Sequence, residues 1–237
     1  MIRISGLQKR FGQLNVLQGV DAIFAPGRVT ALVGPNAAGK TTLIKTILGL
    51  TRADAGSITV DGTIVNGDVS YRRRIGYMPQ IARFPGNLTG KELLSMLEKL
   101  RSDVATPDRS LIQTFDLEPE LGKQIRNLSG GTKQKINAVA AFLFSPDVLI
   151  LDEPTAGLDP RASSALKDRI LADAAKGRTF IVTSHVMAEL EVVADDVVFL
   201  ADGQVRFSGS LDNLKKTTLQ VNLERAIAEL MMRGMAA

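Results

Sequence analysis

The segment Gly34-Pro35-Asn36-Ala37-Ala38-Gly39-Lys40-Thr41 constrains this chain more than any other. It fits G-x-x-x-x-G-K-[ST] and lies between an apolar run, residues 28–33, and a stretch of helical spacing, residues 41–50. Glycines at both ends let the loop curl, so that successive backbone N–H groups point inward as a nest for an anion. The helix behind it adds the positive end of its dipole. Gly34 to Thr41, with Thr42 just inside the helix, are therefore the expected phosphate contacts. Lys40 is placed to reach the β- and γ-phosphates, and the Thr41 hydroxyl to meet Mg²⁺. From average residue usage, four fixed positions would match by accident in a chain of 237 residues at roughly the one-per-cent level.

Around this loop, strands alternate with helices, the pattern of an α/β domain. Residues 2–7, 16–24, 28–33, 57–60, 75–78, 148–151, 179–183 and 197–200 read as strands. Residues 41–50, 136–144, 160–176 and 186–193 read as helices, and 211–232 as two short ones. Between about 82 and 144 the character is mostly helical. Thr89 with Glu92 forms a capping box, and Leu93, Leu94, Leu97 and Leu100 share one face. Thr106 followed by Pro107 predicts a further helix start, since proline's missing N–H costs nothing in the first turn.

A phosphate loop alone leaves kinases, GTPases and motor ATPases open. The run Asp147–Pro154, DVLILDEP, narrows the choice. It is an apolar strand whose end presents Asp152 and Glu153. Mg²⁺ accepts one or two carboxylates and keeps several waters, which suits Asp152. Glu153, just beyond, is placed to hold and activate an attacking water. A second anion site lies between these motifs. In Leu128-Ser129-Gly130-Gly131-Thr132-Lys133-Gln134-Lys135, Ser129 is a good N-cap and two glycines expose amides at a helix start. A simple capped helix explains that segment equally well.

Composition removes several classes. The longest wholly apolar run, residues 138–144, is far short of the roughly 20 residues of a membrane-spanning helix. The N-terminus lacks the apolar stretch of a signal peptide. With no cysteine, disulfides and thiolate metal sites are excluded. The net charge of +4 is small, aromatics are 5% with no tryptophan, and no nucleic-acid partner is expected. The dense basic cluster Arg72, Arg73 and Arg74 reads as a solvated turn, or else as a patch facing an acidic partner or lipid headgroups. A cytoplasmic protein is expected.

Taken together, the chain resembles an ATP-binding cassette (ABC) ATPase from its first strand to about Asn213. LSGGTKQK resembles the family's signature motif, Gln80 in Tyr77-Met78-Pro79-Gln80 matches the Q-loop glutamine, and Ala156-Gly157-Leu158-Asp159 matches the D-loop. His185 matches the switch histidine, and Phe11 sits where the family places an aromatic ring against adenine. The resemblance implies a P-loop NTPase (RecA-like) core, an antiparallel β subdomain and an inserted α-helical signature subdomain at about 82–144. The cassette would span 1–213, with 214–237 a helical tail. It implies a head-to-tail homodimer around two ATP, each held by one phosphate loop and by Ser129, Gly130 and Gly131 of the other copy. Glu153 would be the general base, and His185 would bridge the γ-phosphate and the D-loop with Asp159. Gln80 would couple the metal site to the insert, which docks on an integral membrane permease at the inner face of the cell membrane.

Two positions depart from the family pattern: Ala37 stands for a glycine of the phosphate loop, and Thr132 for the signature's usual glutamine. Within the family the chain looks most like export-type cassettes, in particular the copper-processing ATPase of nitrous-oxide-reductase maturation. The alternative is a cassette without a membrane partner, acting in DNA repair or translation. Such chains usually carry two cassettes or a long coiled-coil arm; the single phosphate loop and short insert favour transport.

Overall fold

The computed structural model describes residues 1–65, 67–101 and 106–235. The chain opens on an antiparallel hairpin, β1 (Ile2–Phe11) and β2 (Leu14–Phe24). Strand β3 (Val29–Val33) runs into the phosphate loop and α1 (Lys40–Ile47). Strands β4 (Ala55–Val60) and β5 (Thr63–Ile64) complete an antiparallel sheet in the order β2-β1-β4-β5. After a 3₁₀ turn at Ser70–Arg74 comes β6 (Ile75–Met78), then the insert with α2 (Gly90–Leu100), α3 (Ser110–Thr114) and α4 (Gly130–Phe142). The rest alternates: β7 (Val148–Asp152), α5 (Pro160–Ala174), β8 (Thr179–Thr183), α6 (Met187–Val193) and β9 (Asp196–Ala201). The described chain closes with β10 (Gln204–Ser210), α7 (Leu211–Thr218) and α8 (Leu223–Met235). A second sheet has the order β10-β9-β3-β8-β7-β6 and is parallel except where β10 pairs with β9.

This second sheet is covered on both faces, which is why its strands read as continuous apolar runs. Successive side chains point to opposite faces. Leu149 and Leu151 of β7 and Phe180 and Val182 of β8 join the helical side of the core, whereas Val148, Ile150 and Ile181 pack beneath the antiparallel sheet and α1. Buried on both sides, the parallel strands hold their C-terminal ends, where the motifs lie, in fixed positions.

Several expectations are corrected. Helix α3 begins at Ser110 rather than at Thr106-Pro107. Asp108, one residue before the cap position, holds the helix start, its carboxylate accepting from the Ser110 amide and hydroxyl at 3.0 and 2.6 Å. Burial pushes the Asp108 carboxyl up, but these bonds and the Arg169 guanidinium outweigh it and hold it at about 2. Arg169 also bonds the fully buried Asp173, so one guanidinium fastens the insert to α5. Leu93 and Leu94 are buried as expected, but Leu100 is exposed. Ser129 caps α4 as expected, accepting from the Thr132 amide, so the helix begins at Gly130, ahead of the 136–144 span. Strand β10 was not foreseen, since its side chains are half-buried. The boundary expected at 213 falls inside α7, and Leu214, Leu223 and Ala226 are buried in the main core. The arginine cluster is engaged rather than merely solvated: Arg72 donates to the Gly49 carbonyl and Arg74 to Asp147.

Candidate active site

The phosphate loop leaves the end of β3, and its shape is dictated by contacts. A Cβ on Gly34 would lie 2.0 Å from the Leu200 carbonyl oxygen, so no other residue fits there. Gly39, at φ 105°, is pressed against the Val16 carbonyl. No side chain caps α1, and the unpaired amides of a helix start are suited to an anion. The Lys40 ammonium lies across the loop, donating to the Gly34 and Pro35 carbonyls at 2.6 and 3.0 Å. Burial pulls its pKa below the ordinary lysine value, against the opposing fields of Glu153 and Asp152.

A cleft of 370 Å³ gathers most of the expected residues. Asn36, Ala37, Ala38, Gly39, Lys40, Thr41 and Thr42 form one wall, and Gln80, Asp152, Glu153 and His185 the other. Four segments distant in sequence converge because β6, β7, β8 and β3 end side by side. The Thr183 hydroxyl donates to Asp152, fixing that carboxylate at the end of β7. Glu153 lies in the left-handed region at φ 53°, and its amide bonds both the carbonyl and the hydroxyl of Thr183 at 3.2 Å. Its carboxylate is 3.5 Å from His185 Nε2. Thr41, Asp152 and Gln80 supply hydroxyl, carboxylate and amide oxygens, the hard donor set that Mg²⁺ prefers. The residues present therefore fit that ion.

Other expected residues lie elsewhere. Ser129, Gly130 and Gly131 stand at the start of α4, outside the cleft lining of the same chain. Asp159 caps α5 and pairs with Lys135 at 2.7 Å; Lys135 and the Ala162 amide hold its carboxyl below the usual range. Phe11 is half-exposed at the hairpin tip with the Lys9 ammonium 5.1 Å from its ring centroid, and does not line the cleft. Leu14, its partner across the hairpin, does, together with Val16. Sequence reasoning missed Leu14, Val16 and Thr183. Thr183 adjoins the Ser184-His185 pair and was within reach; nothing local marks the other two.

Ala37 has φ 64°, a conformation costing a residue with a Cβ about 1 kcal/mol. Ala37→Gly should raise the population of this loop shape and tighten nucleotide binding by up to about tenfold. The melting temperature should barely move, because glycine also loosens the unfolded chain. Titration with a fluorescent ATP analogue checks this; equal affinities would show that the alanine loop binds without strain.

A phosphate loop at the end of a buried parallel strand, with an acidic pair two strands away, defines a P-loop nucleoside triphosphatase. The family model described as ABC transporter matches residues 17–156, and the chain belongs to that family as the ATP-binding, ATP-hydrolysing subunit of an ABC transporter. It is similar to the daunorubicin resistance ATP-binding protein DrrA3 of Streptomyces coeruleorubidus, 35% identical over 92% of this chain and 70% of that one. It is also similar to the Nod factor export ATP-binding protein I of Burkholderia lata, 34% identical over 86% of this chain and 68% of that one. Among solved structures, an ATP-binding subunit of an ABC transporter superposes with a TM-score of 0.91 at 32% identity, over 98% of this chain and 99% of that one. A dimeric cassette bound to ADP and Pi shares the fold, with a TM-score of 0.77 at 21% identity, over 89% of this chain and 99% of that one.

Proposed function

We propose that two copies of this chain close head to tail around two ATP molecules and drive outward transport through an integral membrane permease. The observation that carries the chemistry is the meeting of Glu153, His185, Asp152 and Lys40 in one cleft. Lys40 and the loop amides hold the phosphates. Thr41, Asp152 and Gln80 would hold Mg²⁺, which when bound neutralises charge on the β- and γ-phosphates. Glu153 takes the proton of the attacking water as its oxygen bonds to the γ-phosphorus and the bond to ADP breaks. His185, beside Glu153, donates to the γ-phosphate. The Ser129 to Gly131 amides, lying outside their own chain's cleft, serve the ATP of the second copy.

Export is supported by the names of the relatives, which concern daunorubicin resistance and Nod factor export. Those names lend no support to the finer reading, copper handling for nitrous oxide reductase, nor to DNA repair or translation. No helix among the described residues is long and apolar enough to cross a membrane. The chain would sit on the cytoplasmic face of the membrane.

We assign docking to the segment after Gln80, where Ile81 is 71% exposed, whereas Phe84 three residues on is partly buried against the core. Ile81 is thus the cleaner probe. Ile81→Asp should leave the ATP affinity of the isolated chain unchanged and abolish its recovery with a membrane fraction carrying the native permease. Undiminished sedimentation with those membranes would remove this segment from the docking surface.

A further inference from the structure

We propose that Gln134 and Asn137, one turn apart on α4, form a buried carboxamide relay that positions Glu153 and the root of the Gln80 segment for hydrolysis. Both side chains are nearly inaccessible, at 7% and 2% exposure. The Asn137 Nδ2 group donates to the Pro79 carbonyl at 2.8 Å and to the Gln134 Oε1 atom at 3.3 Å. Gln134 Nε2 in turn donates to the Glu153 and Pro154 carbonyls at 3.2 and 3.4 Å. Pro79 and Glu153 follow the ends of the adjacent parallel strands β6 and β7. Two amides on one helix thus tie together the two segments that carry Gln80 and the expected base.

The chemistry argues for more than filling space. A buried amide costs free energy unless its bonds are made, and apolar side chains of similar volume would pack here without that risk. Glu153 also needs holding. A non-glycine residue in the left-handed region persists only where its surroundings over-determine it. Thr183 grips its amide and Gln134 its carbonyl. The start of α4, one turn before Gln134, lies close against the Gly157 segment: a Cβ on Gly131 would lie 2.7 Å from the Gly157 carbonyl oxygen. Helix α4 and these bonded side chains thus connect the Ser129 end to Glu153 and Pro79. Gln134 and Asn137 are positioning residues, and this role rests on Glu153 being the base.

Gln134→Met and Asn137→Ala separate positioning from packing. Each should slow single-turnover ATP hydrolysis by about 5–30-fold, the scale of one or two buried hydrogen bonds. ATP affinity should change by less than about threefold, because neither side chain lines the cleft. Asn137→Ala should fold with a modestly lowered melting temperature, because the Pro79 carbonyl loses its donor while alanine recovers some helix propensity. It decides the matter by itself if Gln134→Met does not fold. In a Glu153→Gln background neither change should slow the residual hydrolysis further, because the group being positioned has gone. Rate losses that multiply in the combined variants, or full hydrolysis by Asn137→Ala, would reduce the pair to core packing. Full hydrolysis by Glu153→Gln alone would overturn the base, and the relay with it.

Discussion

Glu153→Gln should bind ATP as the parent chain does and hydrolyse it about 10²–10⁴ times more slowly, the usual scale for a lost acid–base group. The amide keeps the size and hydrogen-bonding reach of the carboxylate but cannot accept the water's proton. Little else should change. The Glu153 backbone is held by Thr183 and Gln134 whichever side chain it bears. Lys40 loses one of the two carboxylates that oppose the effect of burial on its pKa, so removing Glu153 lowers that pKa further. ATP affinity should therefore be measured at neutral and at alkaline pH. Binding weakens as pH rises toward the lowered lysine value. Rapid-quench hydrolysis beside equilibrium ATP binding gives the comparison. A rate within a few-fold of the parent's would leave Glu153 without a chemical role and turn attention to His185, 3.5 Å away.

Once hydrolysis is blocked, the Glu153→Gln protein should pass from monomer to dimer with ATP–Mg²⁺ and remain monomeric with ADP. Adding Ser129→Arg should abolish that dimer while each monomer still binds ATP. The reason lies in placement. Ser129 stands on the surface at the start of α4, away from the cleft that holds Lys40, so a bulky cation there leaves the chain's own nucleotide untouched. At a shared boundary its bulk displaces the small serine contact to the γ-phosphate and holds the two copies apart in a closely packed interface. Ser129 also caps α4, and replacing a serine cap costs about 1 kcal/mol, too little to unfold a domain of this size. Light scattering at matched concentrations, with ATP–Mg²⁺ and with ADP, reads the result. A dimer that survived Ser129→Arg, or a monomer that lost ATP, would end the assignment of Ser129 to the opposite copy.

What sequence alone determined here is encoded within a few residues of itself. The phosphate loop was legible because Gly34 and Gly39 answer local demands, a close backbone approach and a left-handed turn. The caps at Thr89 and Ser129 were legible because a hydroxyl reaches an amide three residues on. The buried strands were legible because both their faces are apolar. Ala37 could be flagged as a departure, but its positive φ had to be seen. The start of α3 was misread because the local cue, Thr106-Pro107, lost to a distant one: Arg169 of α5 holds Asp108, and Asp108 holds Ser110. Thr183 beneath Asp152, Leu14 and Val16 in the cleft, and Asn137 bonded to Pro79 across 58 residues are contacts no local pattern announces. The order of strands in the sheet decides which segment ends become neighbours. Only when those ends meet do burial and hydrogen bonding decide which side chains face the site.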